Sequence, residues 1–506
     1  MNIKYIDSFL NSITMYRLVL YGLIFLTLLS FLFGFVNLLP FTFFQLGITL
    51  VLISTVAFIV KIVMIKIFKP ISNFESSLIT SLILFLILAP VTNLSDVWIT
   101  VGATAIAISS KFLLAVDKKH IFNPTAFGVF LIGLLGFGNA IWWVGSSIIL
   151  PFVVILGFLL VRKMRRFHLL LSFLVASILT LILFNLRNGV MPFVSMTQIF
   201  LSYPLIFLGT VMLTEPMTSP TRKNHSLIYG GIVGVLFGSQ FHVGPLFSSP
   251  EFSLIVGNIF AYVVNPKYKL FLQLKSKVLL APQMYEFVFD KLQPFTFLPG
   301  QYLEWTIPEK KADIRGNRRY FTIASSPTEK TLKIGVKLAG NTSSSFKKML
   351  QTLSSERVVA SQLSGDFVLP KESEQKLVFI AGGIGITPFR SMMQYLIDTN
   401  EKRDIILFYA CSRQDEFVYK EIFSKAQQRI GLKVVYVVTK KDQASSEWKG
   451  ECGYISSELL KKYVFDLDQR KFYLSGPNAM VEGYKKLLIT MGIQRKKIIT
   501  DYFPGF

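Results

Sequence analysis

Up to about Val264 the chain is a succession of apolar runs, each roughly 20 residues long and able to cross a hydrocarbon core of about 30 Å as a helix. Beyond Lys267 the runs stop, and short alternating segments rich in charge take over. That break constrains everything else, because one chain holds two parts adapted to different solvents. The overall composition, 52% hydrophobic and 16% charged, averages over both and describes neither. Spans are expected near residues 18 to 38, 42 to 65, 77 to 93, 97 to 116, 124 to 138, 141 to 161, 168 to 185, 197 to 214, 227 to 242 and 251 to 265, about ten in all. Met1 to Arg17 leads into a full-length span without the pattern of a cleaved leader, so a retained anchor is expected.

Alternate loops collect Lys66 and Lys69, Lys118 and Lys119, Arg162, Lys163, Arg165 and Arg166, Arg222 and Lys223, then Lys267 and Lys269. The opposite loops offer Arg187. The positive-inside tendency therefore predicts both termini in the cytoplasm, on a multi-pass protein of a bacterial cytoplasmic membrane. A net charge of +23 suits basic loops lying against anionic membrane lipid, and no nucleic-acid motif accompanies it. Apart from Asp96, Asp117 and Glu215 near span ends, no acid suggests an ion path. Cys411 and Cys452 are too few for a four-thiolate cluster. The histidines at 120, 168, 225 and 242 lie near span ends and do not form the two stacked pairs a membrane haem pathway needs, so no metal site is expected.

A very short join, NPKYK, would hold the remainder close to the membrane face. FLQLKSKVLL, MYEFVFD, GQYLEWTI, RRYFTIAS and TLKIGVKL alternate apolar and polar residues, which predicts a small antiparallel barrel. From Lys376 the pattern becomes strand then helix, repeated, and ends in the strand IITDYF; this predicts a parallel sheet covered by helices. The expected architecture is an α-helical polytopic membrane domain (1–266), an antiparallel β-barrel (267–372) and an α/β parallel-sheet domain (373–506).

In LVFIAGGIGITPFRSM, Gly382, Gly383 and Gly385 follow an apolar strand and lead through Thr387 and Pro388 into a helix. Glycines let backbone N–H groups approach a pyrophosphate, and the helix start turns its positive end to the same anion. Barrel, then this motif, in this order resembles the ferredoxin-NADP reductase family over about 240 residues. In that family Arg319-Tyr320-Phe321-Thr322 corresponds to the flavin signature, with phenylalanine where tyrosine is usual. The resemblance implies that Arg319 meets the FAD pyrophosphate, Phe321 packs against the isoalloxazine, and Thr322 places its hydroxyl near flavin N5. It implies further phosphate contacts from Lys337 and Ser343, and a nicotinamide-side turn at Ser475, Gly476 and Pro477, with serine where cysteine is common. Phe506 stands where the family has an aromatic flavin shield, and it could equally dock on the barrel. Ser412 and Arg413 bear on a donor's 2′-phosphate, and the choice between NADH and NADPH stays open.

Two patches in the first half, KHIFNPTAFGVF and LTEPMTSPT, resemble the RnfD/NqrB type of flavin-binding membrane protein, found in the Rnf complex and in the sodium-translocating NADH:quinone oxidoreductase. The resemblance implies a second flavin, FMN or riboflavin, with Glu215 and Thr218 in a polar pocket. Thr197 is the nearest counterpart of a covalent attachment site. The expected protein is a membrane-bound flavoprotein oxidoreductase carrying electrons from NAD(P)H through FAD to a membrane flavin, a quinone or a carrier protein. The competing expectation is a transporter with an attached flavin reductase, its path lined at helix breaks around Pro151 and Pro204.

Overall fold

The computed structural model describes residues 13–68, 74–116, 119–190, 204–265, 269–307, 318–338, 345–354 and 357–501, with Ile6, Phe9 and Leu10. The chain divides into two compact units near residue 267.

In the first unit the apolar runs form helices α1 (Met15–Phe35), α2 (Phe43–Phe68), α3 (Phe74–Ile87), α4 (Leu94–Leu113), α5 (Pro124–Leu134), α6 (Leu150–Met164), α7 (Phe167–Arg187), α8 (Lys223–Gly238) and α9 (Pro250–Val264). Between α7 and α8 lies a short helix, Leu205–Phe207, that widens into a π-turn at Leu208–Met212. Among the described residues four helices, α1, α2, α4 and α7, are long and apolar enough to cross a membrane. The expectation of ten spans is thus not supported. Length is the reason: at 1.5 Å per residue α3 and α5 reach only about 21 and 16 Å. Gly136, at φ +76°, follows the end of α5, and Pro151 sits in the first turn of α6, where it starts a helix instead of breaking one.

Asp96 caps α4: it and Asn93 satisfy each other's backbone N–H groups at the start of that helix. A buried acid that the sequence did not single out is Glu251, 5% exposed at the start of α9, where Trp142 Nε1–H donates to it at 3.3 Å. Close backbone packing joins α7 and α8. Gly230, Gly234 and Gly238 recur at intervals of four on α8, and a Cβ on each would stand 2.7–2.9 Å from backbone or Cβ atoms of α7. Small residues at this spacing let two helix backbones touch.

The second unit begins with strands β1 (Lys269–Ala281), β2 (Met284–Lys291), β3 (Tyr302–Thr306), β4 (Arg318–Thr322), β5 (Thr331–Lys337) and β6 (Arg357–Ser364), with helix α10 (Ser345–Thr352) before β6. They pair antiparallel in the order β4-β3-β6-β1-β2-β5. The two edges approach where Ala324 N–H donates to Lys333 O at 2.8 Å and Lys333 N–H to Ser325 Oγ at 3.0 Å. Phe287, Phe289, Leu303, Trp305 and Ile334 fill the interior.

There follow β7 (Leu377–Gly382), α11 (Thr387–Thr399), β8 (Ile405–Cys411), α12 (Lys420–Ile430), β9 (Lys433–Val438), β10 (Glu451–Cys452), α13 (Ser457–Tyr463), β11 (Lys471–Ser475), α14 (Asn478–Thr490) and β12 (Ile498–Thr500). This sheet is wholly parallel, in the order β10-β9-β8-β7-β11-β12. Both its faces are covered: Leu377, Phe379 and Ala381 join one core, Val378 and Ile380 the other.

Candidate functional site

The chain leaves β7 toward β8 and returns to its other side at β11, so the order reverses between β7 and β11. A crevice outside the carboxyl ends of strands at such a switch point is where open α/β sheets take ligands. Both expected motifs lie there: Gly382, Gly383 and Gly385 end β7, and Ser475, Gly476 and Pro477 end β11. The glycines play different parts. Gly383 has φ +53° and nothing within 4 Å of where its Cβ would stand, so its backbone borders open space just before α11. Gly385 instead lets two turns touch, since its Cβ would lie 2.6 Å from Cα and N of Gly476 and from Ser475 O. Thr387 opens α11, with Pro388 in the first turn. Open backbone at a helix start suits the pyrophosphate of a dinucleotide.

On the barrel side β4 carries the segment expected to be the flavin signature. Arg319 and Phe321 both lie against Phe346 of α10, with the Arg319 guanidinium 5.4 Å above that ring and the two phenylalanine centroids 5.7 Å apart. Tyr320 points the other way and meets Tyr302 edge-on at 5.5 Å. A cation, aromatic rings and the Thr322 hydroxyl on one short strand fit a flavin dinucleotide. Thr322 and Ser475, on different domains, converge on one carboxylate: Ser475 Oγ–H donates to Asp501 Oδ2 at 3.0 Å, and Thr322 Oγ1 lies 3.5 Å from the same oxygen. No local pattern marks Asp501, which reaches these hydroxyls only because the chain returns past β12.

Lys337 reaches across to Glu416 at 2.8 Å, so in this structure the expected phosphate-binding lysine is engaged by a carboxylate. Ser412 and Arg413 are exposed, and Arg413 is forked onto Asp415, Nε to Oδ1 at 2.9 Å and Nη2 to Oδ2. Cys411 is buried at the end of β8; burial pushes its thiol up to about 12, which removes the thiolate that redox chemistry needs. Arg390 and Glu329, also unmarked by the sequence, form an ion pair in which Arg390 is buried and Glu329 half-buried. Burial alone would raise the Glu329 carboxyl, but Arg390, the Ser326 amide and Lys333 hold it below the usual carboxylate range.

In the first unit the two patches do meet, at Glu215. Its Oε1 faces His120 Nε2 at 3.3 Å, and its Oε2 accepts from Asn123 Nδ2 at 2.8 Å and Thr218 Oγ1 at 3.1 Å. Asn258 of α9 ties the knot, donating to Thr218 O at 3.1 Å and accepting from Asn123 N–H at 2.8 Å. Glu215 and Thr218 thus spend these contacts within the protein. Thr197, Ser343 and Phe506 lie outside the described residues.

Residues 379–486 match the family described as the oxidoreductase NAD-binding domain. The chain is similar to a flavohemoprotein of Bacillus cereus, 27% identical over 217 residues that make up 41% of this chain and 53% of the relative. It is also similar to one component of the Na(+)-translocating NADH-quinone reductase of Yersinia pestis, 30% identical over 154 residues, 30% of this chain and 38% of the relative. The chain spans about half the length of the flavohemoprotein relatives it matches. Among solved structures, the FAD/NAD-binding domain of a nitric oxide dioxygenase from Vibrio cholerae aligns with 46% of this chain and 98% of its own, at a TM-score of 0.41 and 19% identity. With the family match lying on the switch-point crevice, and the segment expected to bind flavin on the barrel beside it, the second unit is a ferredoxin-NADP reductase-like module, an FAD-type barrel joined to an NAD-binding domain.

Proposed function

We propose that the chain is a membrane-bound NAD(P)H dehydrogenase that passes electrons from the nucleotide through FAD to an acceptor at the membrane. The observation that carries this reading is the convergence of Thr322 and Ser475 on Asp501, which sets a flavin-side hydroxyl beside a nicotinamide-side one. Arg319 would hold the FAD pyrophosphate, and the turn at Gly383 the nucleotide's. Bound FAD would supply the step from paired to single electrons. Thr322, Ser475 and Asp501 orient the two rings, and the buried strand ends keep water from the transfer. The long apolar helices support a multi-pass membrane protein, and the basic loops support cytoplasmic termini. The acceptor, in this reading, is a flavin or a quinone held by the first unit or a carrier protein. The Yersinia pestis relative belongs to an enzyme named for NADH and quinone. Anaerobic stopped-flow mixing of the purified full chain should bleach flavin absorbance; no bleaching with either nucleotide rejects the proposal.

Asp501→Asn keeps the shape but removes the charge toward which both hydroxyls turn. We expect flavin reduction to slow about 10-fold with FAD content unchanged, read in the same stopped-flow trace. The donor should be NADH. Asp415 takes both arms of the Arg413 fork and Glu416 holds Lys337, so the cations near this loop are already met by carboxylates and a 2′-phosphate would have to displace one. A preference for NADH of about 10-fold in kcat/KM is expected, and Asp415→Ser should narrow it by freeing Arg413. An unchanged ratio in that variant would remove Asp415 from the account.

A further inference from the structure

Arg390 has no part in the reading above, yet it is a cation 4% exposed near the start of α11, the helix that follows the glycine turn. Its Nη1 donates to Ala324 O at 3.0 Å. The guanidinium also forks onto both carboxylate oxygens of Glu329, Nη2 to Oε1 at 3.0 Å and Nη1 to Oε2. Glu329 in turn accepts from Ser326 N–H at 2.6 Å. Beside Arg390, Ser391 Oγ–H donates to Ser325 O at 2.7 Å; farther along α11, Asp398 accepts from Thr328 Oγ1. One helix therefore grips a single turn, residues 324–329, and that turn starts two residues after Thr322.

We propose that Arg390, acting through Glu329, is a positioning residue for hydride transfer: it sets the flavin-side strand β4 against the nicotinamide-side turns. This deepens the function proposed above and rests on it. Contact across the reacting edge itself is thin, because 3.5 Å between Thr322 and Asp501 is the outer limit of a hydrogen bond and does not fix a distance. The Arg390 fork fixes both direction and separation, since two parallel charge-assisted bonds hold a guanidinium in one orientation. Ala324 cannot shift while its carbonyl is held, and Thr322 follows Ala324. On the other side α11 carries the turn at Gly382–Gly385, which interlocks with Ser475 and Gly476. One side chain thereby joins the two halves whose spacing decides the reaction, and a displacement of about 1 Å there lowers a transfer rate roughly 100-fold.

The test compares the full chain with Arg390→Lys, Glu329→Gln and the double variant. Lysine retains the charge and loses the fork, so it spares the fold more than a neutral residue does. Flavin reduction by NADH, expressed per bound flavin, is expected to fall about 30-fold in each single variant and little further in the double, because both remove the same constraint. The primary isotope effect with 4-deuterated NADH should rise as transfer becomes the slow step. In FAD-free protein, the backbone amides of residues 322–326 should exchange hydrogen about 10-fold faster in Arg390→Lys. A rate per bound flavin and an isotope effect equal to those of the parent, whether or not FAD is lost, would overturn the proposal and leave Arg390 a purely structural residue. Should the parent itself go unreduced by either nucleotide, the dehydrogenase reading fails; an unaltered exchange rate at 322–326 would sink the clamp independently.

Discussion

Gly385→Ala is expected to slow nucleotide-driven flavin reduction by about 100-fold while FAD stays bound. The added methyl would sit 2.6 Å from Cα and N of Gly476 and from Ser475 O, all of them main-chain atoms. A flexible side chain could turn aside; a main chain at the end of a buried strand must move as a piece. Relief requires the two turns to part, at a cost of about 1–3 kcal/mol for an overfilled contact. Ser475 moves with its turn, whereas Arg319 and Phe321 lie on the barrel, so flavin binding is spared. Gly383→Ala is the informative contrast. Nothing stands within 4 Å of its Cβ, and only the φ of +53° resists, so it should lose stability by about 1 kcal/mol. Stopped-flow reduction and thermal melting of both variants separate the two roles, and a Gly385→Ala protein that is reduced at the parent rate would show that the turns do not interlock.

Gly234→Leu should be strongly damaging to the first unit. A Cβ there would lie 2.7 Å from Phe173 O and Ala176 Cβ and 2.9 Å from Ser177 N. Isobutyl at that point forces α8 away from α7 along the line that also includes Gly230 and Gly238. We expect a loss of about 3 kcal/mol, at the upper end for overpacking, because two of these three obstructing atoms are backbone and the third is a Cβ fixed to it. Thermal unfolding in detergent micelles reads it, and Gly231→Leu is the control: its nearest neighbour across the helix pair is Ser172 Oγ at 3.8 Å. Equal melting of the two variants would mean that α7 and α8 do not touch along this line.

The second unit was largely legible because its strands advertise themselves. β7 and β8 are buried at every position, and such strands read as unbroken apolar runs ahead of a glycine or a turn. β6 was missed although it lies inside the barrel sheet between β3 and β1. Its alternation fails midway, where Gln362 takes φ +53° and the register with β3 shifts between Ser361 and Ser364. Helix length in the first unit was not legible either. Twenty apolar residues look alike whether one helix carries them throughout or a proline or glycine turn divides them, and the structure makes several of the expected spans short. Asp501 and Arg390 escaped for a different reason. Their partners stand 179 and 61 residues away, and no local pattern announces a pairing over such a separation. The patches around His120 and Glu215 were recognised singly; that they form one hydrogen-bonded knot required the fold to bring 95 residues of chain back on itself.

The deep burial of Cys411 has a practical side. The chain has two cysteines, and the other, Cys452, is exposed at the far edge of the parallel sheet. A thiol that hard to ionise resists alkylating reagents, so a maleimide dye or spin label added to the unaltered protein goes onto Cys452 alone. The molecule carries its own attachment point for distance measurements, with no cysteine to remove and none to add.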